Sequence, residues 1–237
     1  GGTRFPSILQ MLCFTRLVER VLNAGVEAST ITREQADQFQ RSFLTNIASI
    51  GALEGSEESG VDEILPVEHM IDKVHRVRGG ALFSLAFIAP DLLEDDNIAQ
   101  TLAIARDAII KLGVAFQIVD DITDFEFDLT RNSHNILTAY AYHSENEGER
   151  TLIREMLKTK TTDGQVVELA FPDATQAALK RARDEVRSAF EGLKGTGFWI
   201  APDKADLFVE AIVGIEGVER IEHIGENSKA SPGGTSP

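Results

Sequence analysis

The stretch from residue 95 to residue 127 constrains the fold more than any other. It reads as one long helix, from about Asp95 to Phe127, with apolar residues on more than one side. Phe116, Ile118, Val119 and Ile122 hold its second half in a core. A helix that is apolar on several sides has to be covered on several sides. The expected architecture is therefore all-α, a multi-layer helix bundle built around this segment.

The rest of the chain agrees. "SILQMLCFTRLVERVLNAG" sets Ile8, Leu12, Leu17 and Val21 near one helix face, just after Pro6. Thr32 and Gln35 have capping-box spacing and open a helix that runs to about Ile50. The Gly-, Ser- and Glu-rich "GALEGSEESG" reads as a break. Pro66 suits a helix first turn, and the helical pattern continues from there to Pro90. Shorter helices are expected between Arg131 and Asp173. Apolar residues at 179, 182, 186, 190 and 193 then keep helical spacing, and another helix follows Pro202. Strand alternation and internal repeats are absent from the pattern. The 237 residues suit one domain as well as two; the reading adopted is a helical domain over residues 1–224 and a disordered tail over 225–237, which has nothing to bury.

Lys and Arg number 23 against 38 Asp and Glu, a formal charge of -15. Such a chain is poorly suited to tracking nucleic-acid phosphates or resting on an anionic membrane. Its longest apolar run, "ALFSLAFIAP", is too short to span a bilayer. Cys13 is the only cysteine, which excludes an intrachain disulfide and a cysteine-based zinc site. Its apolar neighbours predict a small core residue. The first residues lack the pattern of a signal peptide, and the expectation is a cytoplasmic protein in a reducing compartment.

Against that background "GVAFQIVDDITDFEFD", residues 113–128, poses a charge problem. Asp120, Asp121, Asp124, Glu126 and Asp128 follow one another with no Lys or Arg between Lys111 and Arg131. On a continuous helix Gln117, Asp120, Asp121, Asp124 and Asp128 share a side. Like charges at that spacing repel, and they lie near the helix C-terminus, where the macrodipole disfavours anions. A hard divalent cation is the economical compensation. Carboxylates at i and i+4 suit Mg²⁺, which keeps waters and accepts phosphate oxygens. A solvated acidic face is the other reading. Cations suited to a phosphate occur in "IDKVHRVRGGALFSLAF", where Arg76 and Arg78 precede two glycines within a helical pattern. The glycine pair predicts a kink or a close backbone approach. An arginine there either grips a diphosphate or lies on the surface.

"GVAFQIVDDITDF" resembles the second aspartate-rich motif of the trans-prenyl diphosphate synthases, F-Q-x-x-D-D-x-x-D, with Phe116, Gln117, Asp120, Asp121 and Asp124 in its places. "HRVRGGALF" is similar to that family's K-T-G-A-L-F helix, with Arg78 in the lysine place and Gly79 in the threonine place. The likeness extends from about Ile8 to Ile221 and includes the closing helices from "DGQVVELAFPDATQAAL" onward. It implies an isoprenoid synthase-type bundle around a central cavity. It also implies Mg²⁺-dependent head-to-tail condensation of isopentenyl diphosphate with an allylic diphosphate.

By that resemblance Asp120, Asp121 and Asp124 hold metal, and Asp120, Asp121 and Gln117 form the catalytic set. Arg78 contacts a phosphate, Phe116 and Gln117 shape the site, and Arg131 takes the part of a later lysine. The family's first aspartate-rich motif has no counterpart: "EDDNIA" lacks the third aspartate, and "SILQMLCFTRL" lines up with the helix that follows that motif. Ser56 is the nearest counterpart of a glutamine before the K-T-G region. Asn132, His134 and Asn135 fit a cavity wall or a polar turn with a helix cap, and His69, His75, His143 and His223 read as surface or packing residues. The resemblance implies a homodimer. A non-catalytic homologue or subunit that binds diphosphate, or packs on a catalytic partner as a heterodimer, is the alternative. A class I terpene cyclase is the third reading; counted from Asp120, its spacing reaches Thr123 but then meets Phe127.

Overall fold

The structure is a computed structural model that describes residues 7–215, with side chains from 12 to 214. Its regular elements are all helical, as expected. Besides three single-turn 3-10 helices (Leu85–Phe87, Asp96–Ile98 and Lys194–Thr196), they are α1 (Ser7–Glu27), α2 (Arg33–Ser56), α3 (Val67–Met70), a π-helix (Ile71–Gly80), α4 (Ala81–Ser84), α5 (Ile88–Leu93) and α6 (Ala99–Thr123). Then come α7 (Phe125–Arg131), α8 (Ile136–Tyr142), α9 (Glu147–Thr159), α10 (Val167–Ala170), α11 (Pro172–Leu193) and α12 (Lys204–Ile215). The tail 225–237, His223 and the side chain of Ile8 lie outside the described residues.

Helix α6 is the centre. Val114, Ala115, Ile118 and Val119 are wholly buried. Burial of each larger aliphatic side chain contributes roughly 1.5–3 kcal/mol. On one side lies α11, whose Leu179, Ala182, Val186, Phe190 and Leu193 are buried at the spacing read from the sequence. On another lie the π-helix and α4, and α8 and α12 complete the cover. A second apolar cluster, with Phe125, Leu129, Leu137, Ile153, Met156 and Phe171, joins α7 to α11 beyond the end of α6.

The contact between the π-helix and α6 is made by backbone. A Cβ added to Gly79 would stand 2.4 Å from the Gly113 carbonyl oxygen, and one added to Gly113 would stand 2.4 Å from that of Gly79. The glycine pair thus serves a close approach. The turn itself is wide, since the Ala81 N–H reaches back to the Arg76 carbonyl. Such i→i+5 turns are uncommon and tend to occur at functional positions.

Three local expectations are corrected. Helix α2 has the Thr32 capping box, with Gln35 N donating to Thr32 Oγ1 at 3.1 Å and Thr32 N to Gln35 Oε1 at 2.8 Å. It does not stop near Ile50, however, but continues to Ser56. Gly51 and Gly55 are exposed there, and an exposed mid-helix glycine weakens a helix without ending it. Cys13 is exposed rather than in the core. Leu12, Leu17 and Val21 are also more than half exposed, because α1 lies at the edge and packs mainly on α2. Finally, the long helix ends at Thr123 and not at Phe127. No described helix is long and apolar enough to cross a membrane.

Candidate functional site

The end of α6 is set by local chemistry. Thr123 Oγ1 turns back onto the Asp120 carbonyl at 2.8 Å, and the Asp124 N–H bonds to the same oxygen at 2.8 Å. A hydroxyl that competes for backbone in this way weakens helix continuation. Phe125, 1% exposed, then enters the second apolar cluster against the Phe171 ring. Asp124 lies at the junction and is exposed. Asp128 falls on α7, so the five residues that would share one side of a continuous helix are divided between α6, the junction and α7.

Asp121 points inward. It is 2% exposed, and both of its oxygens are engaged. Oδ2 lies 2.9 Å from His75 Nε2 and accepts the Ile136 N–H at 2.6 Å. Oδ1 accepts from Gln117 Nε2 at 3.1 Å, and the same amide nitrogen donates to Asp120 Oδ2 at 2.9 Å. A buried carboxylate needs such partners, since burial without them is costly. Part of the charge problem is therefore answered from inside the protein, by a histidine and a peptide N–H distant in sequence.

Asn135 ties the surrounding elements together. Its Oδ1 caps α8 by accepting from the Leu137 and Thr138 N–H groups. Its Nδ2 donates to the Asp121 carbonyl at 2.5 Å and to Asp128 Oδ2 at 2.9 Å. Burial pushes the Asp128 carboxyl up to about 7, although the Asn135 amide opposes the shift; the charges of Asp121 and Asp124 reinforce it.

Arg78 faces acids rather than solvent. Its Nη2 donates to Glu57 Oε1 at 2.9 Å, and its Nε pairs with Glu54, a contact that is not aligned as a hydrogen bond. Burial works against the guanidinium charge, but Glu57, Glu54 and Asp121 outweigh it and raise its pKa. Glu57 is 4% exposed, and its Oε2 accepts the His134 N–H at 3.1 Å. Burial holds the His134 imidazole below its ordinary value, against the pull of Glu57.

The remaining predicted residues lie around this cluster. Phe116 is half-buried with its ring centroid 5.8 Å from that of Phe83. Arg131 is exposed at the last turn of α7, its guanidinium 5.2 Å from the Phe127 ring centroid. Asn132 adopts a left-handed conformation, φ 59°, with Nδ2 donating to the Val61 carbonyl and Oδ1 accepting from Lys160 Nζ. That is a turn-and-tether role. His69 and His143 are exposed. Sequence reasoning gave no role to Glu57 and read His75 as surface or packing. The available signal was that His75 lies one helical turn before Arg78.

Among the described residues no group of three or more His, Cys, Asp and Glu side chains is arranged to hold a metal ion. A partly hydrated Mg²⁺ takes only one or two carboxylates, the rest of its ligands being water and phosphate oxygen. Of the motif's aspartates, Asp121 is enclosed, Asp120 is half-buried with its Oδ2 accepting from Gln117 Nε2, and Asp124 is exposed. An apolar cavity of about 480 Å³ lies elsewhere, between α1, α2 and α5, lined by Leu17, Val21, Ile31, Phe39 and Leu92 among others. Comparison of this chain with family models, curated proteins and solved structures finds no match.

Proposed function

We propose that the chain is a diphosphate-binding protein of the trans-prenyl diphosphate synthase type. On this reading it condenses isopentenyl diphosphate with an allylic diphosphate, head to tail. One observation carries the reading: the basic motif and the aspartate motif, remote in sequence, meet in one electrostatic cluster where the π-helix presses on α6. His75, three residues before Arg78, lies 2.9 Å from Asp121 Oδ2, and Gly79 packs on Gly113, one helical turn ahead of Gln117.

In this proposal Asp120 and Asp124 hold Mg²⁺, which supplies positive charge to a departing pyrophosphate. Gln117 fixes the Asp120 carboxylate from the side, and Asp121 anchors the end of α6 to the π-helix and α8. Phe116, backed by Phe83, offers an apolar wall to a hydrocarbon chain. Arg78 faces the phosphate side. The exposed apolar residues of α1 fit the second copy that the resemblance implies.

A non-catalytic, diphosphate-binding homologue is the second reading. Its support is the internal engagement of both Asp121 oxygens and of the Arg78 guanidinium. Two experiments decide. Thermal melting with Mg²⁺ and pyrophosphate together tests binding, and an unmoved midpoint rejects both readings. A turnover assay with isopentenyl diphosphate and allylic primers, with product analysis, then separates enzyme from homologue.

A further inference from the structure

We propose that Asp163 and Gly164 form a site of covalent self-modification, at which the chain between α9 and α10 converts to an isoaspartyl linkage and loosens its hold on α7. The inference stands apart from the diphosphate reading.

Asp163–Gly164 is the one Asp-Gly pair in the chain, and Asn-Gly does not occur. Both residues are exposed and left-handed, with φ 51° and 75°. Aspartate is among the few side chains that tolerate that conformation. The Gln165 N–H closes the turn on the Thr162 carbonyl at 3.0 Å, and the Asp163 N–H donates to Thr161 Oγ1 at 3.0 Å. The Asp163 carboxylate and the Gly164 N–H have no hydrogen-bond partner among the described residues. A Cβ added to Gly164 would meet nothing within 4 Å, so its nitrogen is open to approach. Asn132–Ser133, whose small second residue would also permit the reaction, is held instead. Asn132 Oδ1 accepts from Lys160 Nζ, and its Nδ2 donates to the Val61 carbonyl.

The Gly164 nitrogen reaches the Asp163 Cγ once the Asp163 backbone rotates, and exposed loop tips open readily. The N–Cγ bond then forms. The amide proton leaves with the hydroxyl of the protonated carboxyl as water, and the product is a cyclic imide. Water adds to either carbonyl of the imide. Cleavage of the N–Cγ bond restores aspartate. Cleavage between the Gly164 nitrogen and the Asp163 main-chain carbonyl carbon leaves the chain running through Cγ. One water is lost and one gained, without oxidant or cofactor. The isoaspartyl chain is longer by one backbone carbon, and it lies between anchored points. On one side Lys160 holds Asn132 at the end of α7, and the buried Thr162 donates to Glu126 Oε1 on α7 at 3.1 Å. On the other side Val167 and Glu168 are buried. The longer path abolishes the turn and slackens those tethers.

The test is prolonged incubation of the full chain at neutral pH in heavy-oxygen water, below its melting temperature, followed by peptide mapping. A free peptide covering residues 159–167 sets the reference rate. Isoaspartate carrying one heavy oxygen should appear at Asp163, within about tenfold of the peptide rate because opening the loop costs little, while Asn132 stays intact. Asp163→Glu should not isomerise, since its longer side chain needs a larger ring that closes more slowly. The isomerised wild type should melt a few degrees below the fresh protein. A wild-type rate below a tenth of the peptide's overturns the proposal, because the turn then protects the pair. So does isoaspartate formed equally at other aspartates, or an Asp163→Glu protein that isomerises as fast as wild type. Isoaspartate at Asp163 with an unmoved melting temperature overturns the loosening of α7. If Asp163→Glu loses its helical circular dichroism, Asp163→Asn serves instead. It forms the same imide with loss of ammonia and should do so faster than wild type; an equal or lower rate overturns the proposal.

Discussion

His75 Nε2 lies 2.9 Å from Asp121 Oδ2, with the two side chains 0% and 2% exposed. The contact joins the π-helix to the end of α6 and gives a buried aspartate a partner that the neighbouring sequence does not supply. Substitution of His75 by Phe leaves the Asp121 oxygen with one donor fewer in a closed space. Loss of a hydrogen bond to a charged group should cost about 2–3 kcal/mol of unfolding free energy. Urea denaturation without metal measures it, and a change under about 0.5 kcal/mol would show that the pair contributes no stability.

The two adjacent aspartates should separate by experiment. Asp121→Asn should lower metal-free stability by about 2 kcal/mol, since the hydrogen bonds it makes inside the protein weaken. Asp120→Ala should leave metal-free stability within about 1 kcal/mol and abolish the shift in melting temperature produced by Mg²⁺ with pyrophosphate. An unfolded Asp120→Ala protein would make that residue structural instead.

Asp128 gives a pH dependence. Its folded value of about 7 stands above the ordinary 3.8, so the folded chain holds a proton that the unfolded chain has released. Stability from this group falls as pH rises from about 4 to about 7, and is flat above. His134, held below its ordinary 6.5, acts in the opposite sense as pH falls through that value. Comparison of wild type with Asp128→Asn cancels the histidine. The variant should gain about 2 kcal/mol at pH 8, half the full linkage because the group retains some water contact, and almost nothing at pH 4. Equal differences at both pH values would refute the shift. Urea midpoints across that range provide the measurement.

Gly79→Ala tests the backbone contact. Alanine is the better helix former, so propensity alone predicts a gain of up to about 1 kcal/mol. The 2.4 Å approach of the new carbon to the Gly113 carbonyl predicts a loss of about 2–3 kcal/mol, as for overpacking elsewhere. The sign of the change in a melting experiment chooses between them.

Much of the scaffold was legible in the residues. Helix α11 follows its apolar spacing, Thr32 and Gln35 form the expected cap, and the fully buried residues of α6 mark the centre of the fold. Legibility failed where the outcome depends on what lies across the chain. Nothing local shows that Phe125 will leave the axis of α6 for the Phe171 cluster. Nothing local shows that α1 will lie at an edge, leaving Cys13 exposed. The partners of the acids were hidden for the same reason: His75, Ile136 and Asn135 reach Asp121 only after the π-helix and α8 have docked. Pattern reading located the acids and basic residues, whereas their pairing is a tertiary result.

The wide turn from Ile71 to Gly80 has one more consequence. Each α-helical residue advances about 100° around its axis, so trimming a single position from this segment to restore tighter winding would swing everything beyond the cut away from its present bearing. His75 and Arg78 could not then both keep their appointments, one with the aspartate near the end of α6 and the other with the glutamates at the end of α2. The segment's length is thus a matter of phase, and a one-residue deletion there would be felt more sharply than many side-chain replacements.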